Sequence, residues 1–388
     1  MEMKCKLSDI CEYRKGKVNT SNLTLKTYIS TENMLPNKAG VVEANSLPST
    51  ALVQEYKEND TLVSNIRPYF KKVWQAKHDG GCSNDVLVFQ GKANVDKDFL
   101  YYILAKDDFF AYSMVTSKGT KMPRGDKKSI MQYEVQLFDI KIQKKIVSIL
   151  KLLDKKIELN NAINNNLLQQ LNAIFKHWFT DNPQLDSMSQ VPLADLCLVV
   201  TKGTTPTTLG KSFVSEGINF IKAESILDSH AIDKNKFAFI DEDTNDLLKR
   251  SIVCSGDIVF TIAGTLGRFA IIDDSVLPAN TNQAVAIIRA DSKKVMPQYL
   301  YSFFLGNWHN DYYTKRIQQA VQANLSLGTI KSLPIPVLSD KAMTEYLGII
   351  SPLITMTKTN ELEISKLEAT RDALLPQLMS GQLDISEL

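Results

Sequence analysis

The sequence has little of the chemistry that metals and nucleophilic catalysis need. Five cysteines stand far apart, at Cys5, Cys11, Cys82, Cys197 and Cys254, with no Cys-x-x-Cys pair, and there are only four histidines. That scarcity argues against a zinc centre and against a disulfide framework. Reduced thiols fit a cytoplasmic compartment. No apolar run reaches the length of a membrane span, and the opening MEMKCKLSDICEYRKGK lacks the apolar core of a secretion signal. An excess of one charge is missing too. Lys and Arg number 45 against 43 Asp and Glu, a net +2. This excludes a grossly basic nucleic-acid coat but leaves room for local basic surfaces.

Catalytic motifs are also missing. Gly210-Lys211-Ser212 follows the apolar run Leu196–Thr201, but a phosphate-cradling loop needs glycine at position 205, where Thr205 stands, and Gly203 comes too early. Gly264-Thr265-Leu266-Gly267 lies between two strand-like runs, so a turn with close backbone approach is its expected use. Asp181-Asn182-Pro183-Gln184 lacks the second proline and the aromatic of an adenine-methyltransferase loop. Glu55-Tyr56-Lys57 has the Glu-x-Lys of a nuclease without a definable acidic partner upstream. His78, His177, His230 and His309 have no Ser, Cys or carboxylate at a telling spacing, so no nucleophile–base pair can be assembled.

What is present is a long helix signal. From Ile142 to Phe179 the chain has neither Pro nor Gly, and apolar residues fall at Ile146, Leu150, Leu153, Ile157, Leu168, Leu171, Phe175 and Trp178. Steps of three and four put one stripe on a helix. At 1.5 Å per residue the rod is roughly 57 Å long, which points to a coiled-coil element. A shift of 200 superposes this stretch on a second one near the C-terminus. Ile149 then meets Ile349, Leu150 meets Ile350, Leu153 meets Leu353, Leu167 meets Leu367, Ile174 meets Leu374 and Phe175 meets Leu375. One such helix cannot bury its stripe alone, so the two are expected to pair antiparallel. The candidates for that pairing, or for partner docking, are the stripe residues Leu150 to Trp178 with Ile350, Ile354, Leu367, Leu374 and Leu378. The plainer alternative is two amphipathic helices on separate cores. Pro352 is expected to kink or restart the second helix. Asn160, Asn161, Asn164, Asn165 and Asn166 interrupt the first stripe, either as a solvated face with one register-setting polar layer or as a docking surface.

Blocks before each helix repeat in the same order. Leu7, Asp9 and Cys11 match Leu193, Asp195 and Cys197, and DTLVSNIRPYFKKVWQA parallels GDIVFTIAGTLGRFAII. SNDVLVFQG parallels TNQAVAIIRA, DFLYYIL parallels QYLYSFF, and IMQYEVQLFD parallels IKSLPIPVLSD. Strands are expected at Thr61–Ile66, Val86–Phe89, Ile258–Ile262, Phe269–Ile272 and Ala284–Ile288, and helix openings at Phe99–Leu104 and Tyr299–Leu305. The expected architecture is α+β, with two homologous mixed α/β domains separated by two long antiparallel coiled-coil helices, an internal duplication with pseudo-twofold symmetry. The boundaries expected are a first domain over 1–140, a helix over 141–180, a linker over 181–190, a second domain over 191–340 and a second helix over 341–388.

Matched loops carry the binding signal. Lys118, Lys121, Arg124, Lys127 and Lys128 cluster in SKGTKMPRGDKKS, and the corresponding segment of the second half, QQAVQANLSLG, offers Gln318, Gln319, Gln322 and Asn324. Lys and Arg suit phosphates, Asn and Gln suit adenine edges, and Arg suits guanine. A second matched slot holds Arg67, Lys71 and Lys72 in one half and Arg268 in the other. The matched openings add Lys15, Lys202 and Thr204, and the glycine-bearing turn adds Thr265.

The pattern resembles the specificity subunit of type I restriction–modification systems over essentially the whole chain. The pieces that carry the likeness are LNAIFKHWFTDNP, LEATRDALLPQLMSGQLDI, the Leu-x-Asp-[Ile/Leu]-Cys opening with its Lys-Gly, GDIVFTIAGTLGR, NQAVAII and NLS. The first half departs from it: no Thr-Pro follows Lys15-Gly16-Lys17, Ile66-Arg67-Pro68-Tyr69 replaces the Gly-x-x-Gly-Arg turn, and PRGDK stands where the second half has NLS. The resemblance implies a non-catalytic subunit whose two domains each bind half of a split sequence in double-stranded DNA, and whose helices act as a spacer docking two modification (methyltransferase) subunits. Restriction subunits could join. The subunit itself would carry no cofactor, S-adenosylmethionine and Mg/ATP belonging to the partners. The alternatives are a free-standing DNA enzyme and a protein–protein scaffold or inactive relative.

Overall fold

The computed structural model describes residues 3–119, 121–183, 188–317 and 325–383. The chain forms two compact units, Met1–Glu158 with Ile364–Leu388, and Leu159–Glu363. Each holds one globular part with stretches of both long helices. The fold class is α+β.

The expected strands form, as Thr61–Ser64, Val86–Gly91, Ile258–Thr261, Phe269–Ile271 and Val285–Ala290. In the first unit an antiparallel sheet runs in the order Cys11–Tyr13, Val86–Gly91, Thr61–Ser64, Val73–Gln75. The second unit repeats it as Cys197–Lys202, Val285–Ala290, Ile258–Thr261, Phe269–Ile271. The central strands Thr61–Ser64 and Ile258–Thr261 are buried along their whole length because both faces are covered. Alternate side chains point to opposite faces. Val63, Leu87 and Phe89 join the core of helix Lys97–Leu104, while Leu62, Val86 and Val88 join Tyr56 and Trp74 on the other face. Likewise Ile258, Phe260 and Ile288 meet helix Pro297–Leu305, and Val259, Val285 and Ile287 meet Ile221 and Val253.

A second sheet covers that other face, and here the units diverge. Three strands correspond: Gly80–Cys82 lies between an antiparallel neighbour, Leu52–Tyr56, and a parallel one, Tyr28–Ile29. Ala279–Thr281 similarly lies between antiparallel Ile252–Val253 and parallel Ile218–Ile221. The fourth strand joins opposite edges. Lys17–Asn19 pairs with the antiparallel neighbour in the first unit, whereas Ala238–Ile240 pairs with the parallel neighbour in the second.

Each globular part is closed by a two-stranded antiparallel ribbon. Met3–Lys6 pairs with Glu134–Leu137, just before the first long helix, and Gln190–Pro192 pairs with Pro334–Pro336, just before the second. Each also buries one carboxylate against an arginine. Asp60 accepts from Lys57 N–H at 2.8 Å and is chelated by Arg14. Its counterpart Asp257 accepts from Cys254 N–H at 2.7 Å and takes two bonds from Arg289, at 2.8 and 2.7 Å. The carboxylate keeps its place in the repeat, while the arginine follows the strand Cys11–Tyr13 in the first unit and lies within Val285–Ala290 in the second.

The long helices are Ile140–Phe175, continued by one π turn over Lys176–Thr180, and Asp340–Ser380. Pro352 does not restart the second helix, which runs unbroken through it. Proline there removes a donor to the carbonyl of residue 348. Pro352 and Gly348 are both exposed, so water can take that carbonyl's bond.

Candidate nucleic-acid interface

In the first unit the strands Thr61–Ser64 and Val73–Gln75 are joined by a tight tip. Arg67 (φ 50°) and Lys71 (φ 51°) are both left-handed, and between them Pro68–Phe70 makes one turn of 3-10 helix. A left-handed conformation costs a residue with a Cβ roughly 1–2 kcal/mol, so the surroundings must hold it. They do so from two sides. Arg67 N–H donates to the Pro123 carbonyl at 2.9 Å, while Asn37 and Lys38 N–H donate to the Phe70 and Lys71 carbonyls at 2.8 and 2.9 Å. Arg124 bridges to both Ile66 and Lys118. The two basic slots read separately in the sequence are thus one surface, with Tyr69 (48% exposed), Phe70 (38%) and Met122 (48%) among the cations.

Several of those cations are committed elsewhere. The segment SKGTKMPRGDKKS holds one acid, Asp126, and the fold brings Asp85 and Asp107 to the same surface. Lys118 pairs with Asp126 at 2.8 Å, Arg124 with Asp85 at 3.0 Å, and Lys71 shares Asp107 with Lys38 at 2.8 and 2.9 Å. The Asp126 hydrogen bond raises the Lys118 pKa. Burial pushes the Asp107 carboxyl upward, but the bonds from Lys71 and Lys38 outweigh it and hold its pKa below the usual value. Lys72 turns inward to the Thr31 carbonyl at 2.6 Å, with its ammonium 5.7 Å from the Phe70 ring, and burial lowers its pKa. Lys72 is therefore a brace of the tip. Among the described residues of this unit, Lys15, Lys121, Lys127 and Lys128 are exposed without a side-chain partner and are free to meet phosphate. Arg67 keeps its Nε buried without a partner.

In the second unit the same hairpin tip is built from glycine. Gly264 (φ 76°) and Gly267 (φ 91°) take the left-handed positions. Nothing crowds either of them, so their role is the backbone angle and not the close approach expected. Thr261 ties the tip from inside, its hydroxyl bonding the carbonyls of Thr265 and Arg268. Thr265 is exposed. Arg268 is not free: it forks onto Asp228 at 2.7 and 2.8 Å and onto the Ile226 carbonyl at 3.3 Å. Lys202 ends its strand exposed, and the Thr204 hydroxyl accepts from Arg250 at 3.3 Å. Close approach is instead the role of Gly203, where a Cβ would lie 1.9 Å from the Thr281 carbonyl oxygen. Gln319, Gln322 and Asn324 lie outside the described residues. The slot itself is matched. Gly125 N–H bonds the Asn65 carbonyl at 3.2 Å and Leu325 N–H bonds the Ile262 carbonyl at 3.0 Å. Asp126 and Ser326 then cap equivalent short helices at Ser129 and Thr329 N–H.

Helix pairing is antiparallel within each unit. In the second, Asn160 donates to Glu363 at 2.8 Å, Asn360 donates to Asn164 at 2.8 Å, and Asn164 reaches the Thr357 carbonyl at 3.4 Å. In the first, Arg371 donates to Asp154 at 3.1 Å, and Ile146, Val147 and Leu150 share a core with Leu375, Leu378 and Met379. Leu150, Ile157, Leu171, Phe175, Ile350, Ile354 and Leu378 are buried, whereas Leu153, Leu168, Trp178, Leu367 and Leu374 are half-buried. The buried and half-buried positions 146, 150, 153, 157, 160, 164, 167, 171, 174 and 178 alternate steps of four and three, a heptad seam. Asn160 and Asn164 therefore belong to the seam that they were read as interrupting, while Asn161, Asn165 and Asn166 face solvent. The polar layer of the plainer reading has two asparagines on this helix. Sequence reasoning also missed Tyr69 and Phe70 as surface groups, although they stood in plain view between Arg67 and Lys71.

Duplicated sheets carrying unlike loops, each closed by a ribbon onto a long paired helix, define a two-part recognition protein. Comparison with known proteins agrees. Residues 2–169 and 186–369 match the model of the type I restriction modification DNA specificity domain, and the chain belongs to that family. It is similar over 97% of its length to all of the type I restriction enzyme HindI specificity subunit of Haemophilus influenzae, at 23% identity. It is similar over 99% of its length to 93% of the MjaVIII specificity subunit of Methanocaldococcus jannaschii, also at 23%. The solved S subunit of a type I restriction–modification system from M. genitalium shares the fold, with a TM-score of 0.61 at 15% identity, covering 100% of this chain and 97% of that one.

Proposed function

We propose that this specificity subunit reads a two-part sequence in double-stranded DNA, one part with each globular domain, and performs no chemistry itself. The observation that carries the reading is the pair of corresponding hairpin tips and loops, built on one sheet topology and furnished with different side chains. Phosphate contacts fix register without carrying sequence information, and base-edge contacts specify. Free Lys15, Lys121 and Lys127 suit the first role. The unlike tips suit the second.

The long helices set the gap between the contacted segments and dock two methyltransferase subunits, with restriction subunits able to join. S-adenosylmethionine, Mg and ATP are used by those partners, and the target adenine leaves the duplex stack to be modified there. The assembly works in the cytoplasm. No helix among the described residues is long and apolar enough to cross a membrane.

The test is to map methylated adenines in the host genome with and without the gene, and to identify what co-purifies with the tagged chain. A split motif that disappears on deletion, together with a co-purifying methyltransferase, is the expected result. Unchanged methylation with no such partner would overturn the reading. Removing seven residues from the first long helix shortens it by roughly 10 Å and should change the gap. A gap that stays the same would refute the spacer role.

A further inference from the structure

The tip of the first domain carries an exposed aromatic pair that neither phosphate binding nor core packing uses. Tyr69 and Phe70 have ring centroids 4.6 Å apart, tilted by 52°, and stand 48% and 38% exposed. Their backbone is anchored by a buried proline, Pro68, by two left-handed residues and by three hydrogen bonds from neighbouring loops. Two rings held rigidly in water among lysines are costly unless something covers them. Lys121 and Lys127, exposed and unpaired on the same surface, favour a polyanion over an apolar protein face. The occupant is therefore DNA, on the reading proposed above.

How the rings can touch DNA follows from which of their faces are free. A ring inserted between base pairs needs both faces. Phe70 has the Lys72 ammonium 5.7 Å from its centroid, and the Tyr69 ring is tilted against it. Insertion would have to break the contact between the rings and displace the Lys72 ammonium, so it is unfavourable. An aromatic edge or single face is suited instead to the one apolar group exposed in the major groove, the thymine C5-methyl. We propose that Tyr69 and Phe70 read a thymine methyl in the half-site of the first domain. The second domain has Gly264-Thr265-Leu266-Gly267 at the equivalent tip, without an aromatic ring.

The test uses the full chain and two randomised duplex pools, one with thymidine and one with deoxyuridine, which lacks only that methyl. The wild-type chain should enrich a two-part motif with thymine at a fixed position of one half. In the deoxyuridine pool, preference at that position should fall about fourfold, the worth of one buried methyl group. The double variant Y69A/F70A should show the same loss in the thymidine pool and no further loss in deoxyuridine, with the other half-site unchanged. A position equally preferred in both pools overturns the proposal, and this arm needs no variant to fold. So does a variant that keeps the motif while losing a co-purifying subunit, since the patch would then face protein. Failure of the wild type to enrich any motif would instead overturn the DNA-reading function itself.

Discussion

The two globular parts build the same antiparallel sheet from different residues and then part company at its rim. Both keep a buried carboxylate before the central strand, at Asp60 and Asp257, and both pack that strand on two cores. They differ in the edge chosen by the fourth strand of the covering sheet and in the hairpin tip, which is Arg-Pro-Tyr-Phe-Lys in one and Gly-Thr-Leu-Gly in the other. The lesson is that the two units differ most at the exposed rim and agree at the buried charge pair beneath it. The buried carboxylate keeps its chemistry even though its arginine comes from a different place in the chain, after one strand in the first unit and within another in the second.

The comparison can be broken most severely at the buried carboxylates. Replacing Arg289 with Ala leaves Asp257, whose side chain is 1% exposed, as an unpaired buried charge, at a cost of about 3–5 kcal/mol. Arg14→Ala should do the same to Asp60. Urea titration followed by hydrogen exchange should locate each loss in its own unit, and if both variants weaken the same unit the equivalence is wrong. Next come the helix positions related by the repeat, Phe175 and Leu375. Phe175 lies against Phe179, Phe303 and Trp308, and Gly306 makes room for it: a Cβ there would meet the ring at 2.1 Å. Phe175→Ala should cost about 3–5 kcal/mol, and Leu375→Ala, within a broader range of about 2–5 kcal/mol, should cost less. Equal melting losses would contradict that difference.

Acid should also separate the units. His230, stacked on Phe269, and His309, 3% exposed, both belong to the second, and burial lowers each pKa to about 4. The unfolded chain takes up these protons as pH falls through about 6.5, whereas the folded one resists until about 4, so stability is present above 6.5 and lost toward 4. The loss is on the order of 2 kcal/mol per histidine at pH 5. Glu361, whose pKa burial raises, works against this just above its ordinary value, because there the folded form holds the proton. His309→Phe should flatten the acid limb of a melting profile, and an unchanged limb would remove the histidines from the account. The smallest effect is at the free cations. Lys121→Ala and Lys127→Ala should each lower the salt slope of DNA binding by about 1 and leave the motif intact. Arg268→Ala, starting from an ion pair, should change that slope less.

Much of the fold could be read because it rests on periodicity. Short apolar or β-branched runs bounded by Gly, Asn, Asp or Pro gave the central strands, and steps of three and four gave the helices. The repeat offset gave the duplication. The site was less legible, because a lysine in a loop looks the same whether it faces solvent or an aspartate distant in sequence. Asp85, Asp107 and Asp228 lie 39, 36 and 40 residues from Arg124, Lys71 and Arg268, and nothing local announces those pairs. The asparagines were misplaced for a related reason. Polar residues were counted as breaks in an apolar stripe, although the heptad numbering continues through them. Pro352 does not restart its helix because the side that bears the lost hydrogen bond is exposed, which no local pattern announces.

The ribbons that close the globular parts have a consequence for how such a chain can change. Met3–Lys6 beside Glu134–Leu137, and Gln190–Pro192 beside Pro334–Pro336, bring the entry and exit of each domain within one strand spacing of each other, about 4.8 Å. Seen from the helix that follows, an entire domain is the loop of a hairpin. Such a loop can be exchanged by recombination at two short strands, and the helix receives its new cargo without shifting a residue of its own register.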